Sequence, residues 1–192
     1  MVFREIKGLR NLFSNSPNSM LCLFSEKKIR RRNFIHGMEI RRAKREEMEK
    51  ILDAYMDAYS EMEKYWYRRR KDARRYVKWL FKRDADGIFV AAEGEIVAFV
   101  ASDAFWHSFH EGKVGEIHEM FVRKNHRRKG IGKKLIKRAE EYLFSQGNRI
   151  IELWVGEDNE AARKFYSKIG YEKRDKCGEW IRMVKIIGDG EK

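Results

Sequence analysis

The chain has 192 residues, 43 Lys and Arg against 30 Asp and Glu, and a formal net charge of +13. That length suits one domain able to bury a core without disulfides or metals, and 43% hydrophobic residues exclude global disorder. With 14 Gly and one Pro the collagen-like and Pro-rich classes fall away, and no apolar run nears the roughly 18–20 residues of a membrane span.

Residues 1–37 hold eight Lys or Arg and two Glu, a local +6 that leaves +7 for residues 38–192. Val2, Phe3, Ile6, Leu9, Leu12 and Phe13 share a face at helical spacing, and a basic run follows from Lys27 to Arg32. The segment reads as a basic, poorly ordered N-terminal extension. A membrane-surface helix and a nucleic-acid-binding arm are the alternatives. The domain proper is expected over residues 38–192.

From Met38 the pattern is regular. Residues 39–43 read as a first strand. Met48, Ile51, Leu52, Tyr55, Met56 and Tyr59 fall at helical spacing, as do Tyr76, Val77, Leu80 and Phe81. Between these helices stands an aromatic and basic stretch around Tyr65, Trp66 and Tyr67. Residues 88–92 and 96–100 flank Glu93-Gly94-Glu95 as a hairpin. Residues 105–110 are expected to lead into a loop, and 116–122 form another strand. Ile131, Leu135, Ala139 and Leu143 mark a helix that ends near Gly147. A strand over 149–155, a short helix to Gly170 and two closing strands complete the chain. The pattern predicts an α/β fold of the α+β mixed-sheet kind with helices on its faces.

The two cysteines, Cys22 and Cys177, lie far apart and outside any CxxC. This argues against a disulfide framework or a Cys-based zinc site, and for a reducing, cytoplasmic setting. His107, His110 and His118 match no ligand spacing, so no metal is expected. The absence of Thr, the single Gln and the 38% charged residues lean towards thermophile composition.

The most informative stretch runs from a strand end into a helix start. Residues 123–138 hold nine Lys or Arg and no acid, with Gly130 and Gly132 at the turn. Glycines let backbone N–H groups approach a ligand, and a helix N-terminus adds orphan donors and a favourable dipole. This is an anion site suited to a pyrophosphate. Neither GxxxxGK[ST] nor GxGxxG is present. Taken alone, a solvated basic helix start explains the stretch equally well.

A second motif lies downstream: Asn159, Ala161, Ala162, Phe165-Tyr166 and Gly170-Tyr171. Together with Met120-Phe121-Val122 and the run from Arg127 to Gly132, it resembles the GNAT superfamily of acyl-CoA-dependent N-acetyltransferases. The resemblance covers about residues 38–187. Lys124 departs from it, standing where many members carry Pro.

The resemblance implies the GNAT fold, a six- to seven-stranded mixed sheet with splayed central strands and about four helices. It implies acetyl-CoA as acyl donor and direct attack by an amine in a ternary complex. Arg127, Arg128, Lys129, Gly130, Ile131, Gly132 and Lys133 are then expected at the CoA pyrophosphate. The main chain of Met120, Phe121 and Val122 is expected along pantetheine, with Asn159 on the same arm. Tyr166 matches a tyrosine that protonates the departing thiolate. Ideal alternation puts Glu116 and His118 on one strand face and Glu119 on the other, unless a bulge re-aims them. Glu119 is the preferred general base, Glu116 follows, and His118 is third.

Tyr65, Trp66, Tyr67, Trp106 and Phe109 are candidates for an acceptor wall or for ordinary packing. The implied partners are acetyl-CoA and an amine borne by a peptide, a protein or a small molecule. A homodimer is left open, and nucleic acid is not expected. A nucleic-acid-binding protein and a CoA-binding regulator without catalysis are the rival functions.

Overall fold

The computed structural model describes residues 33–35 and 37–188. The N-terminal apolar face and the basic run ending at Arg32 lie outside them. Twelve regular elements follow in order: β1 (Asn33–Ile35), β2 (Met38–Arg42), α1 (Met48–Tyr59), α2 (Arg70–Arg83), β3 (Ile88–Glu93), β4 (Glu95–Ser108), β5 (Gly112–Val122), α3 (Ile131–Ser145), β6 (Ile150–Gly156), α4 (Glu160–Lys168), β7 (Glu172–Cys177) and β8 (Trp180–Ile186). The strands form one sheet in the order β1-β2-β3-β4-β5-β6-β8-β7. All neighbouring pairs are antiparallel except β5 and β6. Seven strands and four α-helices lie beyond residue 37, as expected. The short β1 adds an eighth strand from within the extension, pairing Phe34 opposite Glu39.

The 105–110 stretch leads into a turn only at 109–111, and residues 105–108 are strand. They continue β4, which reaches Ser108 and turns into β5 at Gly112. Exposed aromatics and histidines disguise the strand, because this hairpin end projects past the part of the sheet that helices cover. Helix α1 starts after Glu47, which makes no side-chain cap bond to it. The Glu47 carboxylate instead closes the 3-10 turn at 45–47 just before the helix, accepting from the Lys44 backbone N–H at 2.9 Å and from both Arg41 terminal nitrogens.

Helices α1 and α2 cover one face of the sheet over Ile88, Val90, Phe99 and Phe121. Helix α3, with α4 beside it, covers the other over Phe89, Val100, Ile117, Ile151 and Leu153. Both cores are continuous, so the sheet is a rigid plate. The place where β5 and β6 stop pairing carries the site.

Candidate active site

Strand β5 pairs with β6 through Gly115–Ile151, Glu116–Glu152 and Ile117–Leu153. Beyond Ile117 the two parallel strands part, and residues 118–122 face residues 154–156 across a gap. A cavity of about 160 Å³ opens there, with Tyr59, Glu116, Glu119, Asn159, Tyr166 and Trp180 among its walls.

Across β5's other edge, Glu119 stands opposite Ala101 and Ile117 opposite Ser102, so His118 is an extra residue with no cross-strand partner. This bulge reverses the alternation. Ile117 packs with the α3 core, whereas Phe121, four residues on, packs with the α1–α2 core. Regular alternation would put them on one face. The bulge therefore brings Glu116 and Glu119 to the same cavity, which the ideal pattern had separated.

Glu119 Oε1 accepts from the Tyr59 hydroxyl at 2.6 Å and from the Met120 backbone N–H at 3.1 Å. Burial disfavours its charge and pushes it up to about 7, although Tyr59, Met120, Tyr76 and His118 all favour the ionised form. A carboxyl poised there accepts protons at neutral pH. Burial and the nearby Glu119 hold the Tyr59 phenol well above its ordinary range, so it stays a donor.

Glu116 and His118 form a buried charge chain with Asp103 and Arg83. His118 Nδ1 lies 3.2 Å from Glu116 Oε1, and Nε2 lies 3.4 Å from Asp103 Oδ2. Arg83 closes the chain with Nε 2.8 Å from the same Asp103 oxygen. The rings of Trp79 and Trp106 stand edge-on to the imidazole, each at 4.9 Å. Burial opposes a charge on His118, but Glu116 and Asp103 outweigh it and raise the imidazole. Glu116 is itself raised by burial, with His118 pulling the other way. Its second oxygen, Oε2, is buried without a hydrogen-bond partner among the described residues.

At the far end of β5 the chain turns into α3. Arg128 (φ +62°) and Gly130 (φ +77°) are left-handed, and Gly130 is the residue before the helix. A left-handed turn followed by a helix N-terminus gathers backbone N–H groups into a concave anion receptor. Arg128, Lys129 and Lys133 are exposed around it. Ile131 sends its side chain into the core. Gly132 lies where a Cβ would make ordinary contacts, 3.5 Å from Phe165. Arg127 is differently employed. Its Nε donates to the Val122 carbonyl at 3.0 Å and Nη2 to the Ala58 carbonyl at 2.6 Å, tying the end of β5 to α1.

The Met120 carbonyl accepts from Tyr59 at 3.2 Å. Phe121 is buried and stacks on Phe99. Asn159 caps α4 by accepting from the Ala162 N–H at 3.1 Å, and its residue also lines the cavity. Tyr166 is 7% exposed, packs edge-to-face on Phe165 and Tyr171, and reaches the same cavity. Burial, then Glu119, raises its phenol.

Tyr65, Trp66, Tyr67 and Trp106 line the cavity, while Phe109 is 85% exposed and outside it. Sequence reasoning missed Tyr59, Tyr76, Asp103, Arg83 and Trp180. In the sequence, Tyr59 and Tyr76 read only as apolar residues on helix faces. A hydroxyl on the buried face of an amphipathic helix is the signal that could have marked them, since a buried phenol needs a partner.

Residues 48–171 match the Acetyltransferase (GNAT) family. Over 157 residues the chain is 44% identical to an uncharacterised N-acetyltransferase of Methanocaldococcus jannaschii, covering 81% of this chain and 70% of the relative. A crystal structure from Pyrococcus horikoshii superposes with a TM-score of 0.72 at 39% identity, covering 79% of this chain and 99% of the other. The PaiA N-acetyltransferase of Thermoplasma acidophilum, solved in complex with coenzyme A, shares the fold with a TM-score of 0.64 at 20% identity, covering 78% and 98%. This chain is an acyltransferase and belongs to the GNAT acetyltransferase family.

Proposed function

We propose that the protein transfers an acetyl group from acetyl-CoA to a primary amine by direct attack in a ternary complex. The observation that carries this reading is the placement of Glu119 in the gap between β5 and β6, with the left-handed turn at Gly130 at one end of that gap. Coenzyme A bound to the Thermoplasma relative supports the choice of donor.

The N–H groups of residues 128–133 receive the pyrophosphate, and exposed Arg128, Lys129 and Lys133 screen its charge. The main chain of 120–122 runs beside pantetheine, with Asn159 opposite. An alkylammonium, with a reference pKa near 10.4, must lose a proton before it attacks. Glu119 takes that proton, directly or through one water. The nitrogen then bonds to the thioester carbonyl carbon, a main-chain N–H of the 120–122 stretch stabilising the oxyanion. The C–S bond breaks, and Tyr166 gives its proton to the departing sulfur. The second nitrogen proton leaves on collapse, Tyr166 is reprotonated from solvent, and one proton is released overall. Glu116, held by His118, faces the acceptor and orients its ammonium. A cytoplasmic setting belongs to this reading and is supported by two cysteines that lie far apart in sequence and outside any CxxC.

A panel of primary amines incubated with the full-length protein and acetyl-CoA tests it, read as CoA release and as a mass gain of one acetyl group. If acetyl-CoA fails to stabilise the protein against heat while RNA binds tightly and salt-dependently, the reading falls.

A further inference from the structure

The segment joining α1 to α2, residues 60–69, does not stay on its own side of the sheet. It crosses the open end of the gap between β5 and β6 and is fastened at both ends. On the α1 side the Tyr67 N–H donates to the Tyr55 hydroxyl at 2.9 Å, and the Trp66 ring stacks on Tyr59 at 6.2 Å. On the far side Lys64 Nζ lies 3.1 Å from Asp158 Oδ2 and 3.5 Å from Glu179 Oε1. The Tyr65 hydroxyl donates to the same Asp158 oxygen at 3.3 Å.

Tyr65 is the keystone of this strap. Its backbone is left-handed at φ +71°, an unusual state for a residue with a bulky side chain. That conformation lays the ring on the backbone of Gly156, at the end of β6, and edge-on to Trp180 at 5.0 Å. A Cβ at position 156 would sit 2.5 Å from the ring carbons, so glycine there is a condition of the closure. Beneath the strap is the cavity of about 160 Å³. Its walls are aromatic, with the Glu116 and Glu119 carboxyls among them, a lining suited to a cationic head.

We propose that Tyr65, seated on Gly156 and Trp180, is a specificity-determining residue that restricts the acceptor to a small primary amine able to fit beneath the strap. Peptide N-termini and lysines held on folded proteins are excluded, because their chains have no exit past Tyr65. The proposal rests on the amine-acetylating reading above and narrows it.

The test uses the full-length protein with acetyl-CoA and two probe sets: small primary amines (alkylamines, arylalkylamines, short diamines and free amino acids) and unstructured pentapeptides with a free N-terminus or an internal lysine. CoA release and product mass give kcat/KM for each. The wild type is expected to favour its best small amine over its best peptide at least 100-fold. Tyr65→Ala should narrow that ratio at least 10-fold by gains on peptides, and Gly156→Ala, which displaces the ring, should act the same way. Lys64→Ala keeps the ring and should narrow the ratio less. It guards against a Tyr65 variant that folds poorly. Hydrogen exchange supplies a readout without turnover: residues 60–69, 156–159 and 179–180 should lose protection together in Tyr65→Ala.

Peptides turned over as well as small amines by the wild type would overturn the proposal and leave amine acetylation intact. So would a ratio unmoved in all three variants, or a strap as unprotected in the wild type as in Tyr65→Ala. Turnover of neither probe set, with no stabilisation by acetyl-CoA, would overturn both readings.

Discussion

The Tyr59 hydroxyl, at the last residue of α1, donates to Glu119 Oε1 on β5 at 2.6 Å. The same carboxylate oxygen takes the Met120 N–H of its own strand. One acid thus links the helical layer to the rim of the gap. Burial lifts it to about 7, and both donors pull the other way. Burial sets the proton affinity of the proposed base, and a residue that lies 60 positions away in sequence tempers it.

Removing that donor gives the first prediction. The ionised form of Glu119 is the active one, so kcat/KM should rise through about pH 7 in the wild type. Tyr59→Phe loses a hydrogen bond to a charged group, worth about 1.5–3 kcal/mol, of which roughly 1.4 kcal/mol corresponds to one pH unit. The rising limb should therefore move upward by about one unit or more. Activity at pH 7 should fall and recover by pH 9. Dividing each profile by that of Glu119→Gln removes the titration of the amine itself. A limb that stays in place shows that Glu119 is not the base.

Tyr166→Phe should separate chemistry from binding. The ring packs between Phe165 and Tyr171, and Phe preserves that packing. Loss of a positioned general acid costs typically about 10²-fold or more in rate. We expect kcat to fall by about that factor and acetyl-CoA affinity to stay within about threefold, measured by steady-state kinetics and calorimetric titration. A fall in affinity with unchanged kcat would make Tyr166 a wall of the pantetheine channel instead.

Much of this was legible in sequence, for a local reason. The Gly130 turn, the Asn159 cap and the Phe165-Tyr166 pair each depend on neighbours within a few residues, so their spacing reveals them. The helical and most strand periods were visible on the same ground. The partners of Glu119 and His118 were not. Tyr59, Tyr76, Asp103 and Arg83 come from three other elements and meet β5 only after the sheet assembles. A bulge able to re-aim this strand was anticipated, but its position at His118 was not. It follows from the mismatch between β4 and β5, a relation between two strands that neither segment encodes alone. The reach of β4 to Ser108 was hidden because exposed Phe105 and His107 break the buried pattern expected of a strand.

The two glycines of the basic turn should behave differently. Gly130 has φ +77° and open space around its missing Cβ, whereas Gly132 is helical with an added Cβ in ordinary van der Waals contact. Gly130→Ala puts a side chain into the left-handed region, costing roughly 1–2 kcal/mol. At about 2–4 °C per kcal/mol for a chain of this size, the melting temperature should drop by several degrees. Gly132→Ala should be near neutral for folding. Any loss of acetyl-CoA affinity in Gly132→Ala then reports crowding of the pyrophosphate, read by titration against a melting temperature that has not moved.

Asp103 gives the clearest stability prediction. It is 0% exposed and holds both the Arg83 guanidinium and His118 Nε2. Removing one member of a buried charge cluster costs about 3–5 kcal/mol, because the remaining charges lose their partner. Asp103→Ala should thus lower the melting temperature by roughly 10 °C. The imidazole supplies a pH signature. Its folded value is raised to about 9, against an ordinary 6.5, by Glu116 and Asp103 acting against burial. Stability from a raised histidine is fully present below its unfolded value and is lost as pH rises through its folded value. The stability difference between wild type and His118→Asn should therefore shrink from pH 6 to pH 10, measured by denaturant unfolding. In Asp103→Ala the loss should come at lower pH, because one of the two carboxylates that raise the imidazole is gone. A difference that is flat across this range would show that His118 is neutral in the folded protein and that Glu116 is held by a hydrogen bond alone.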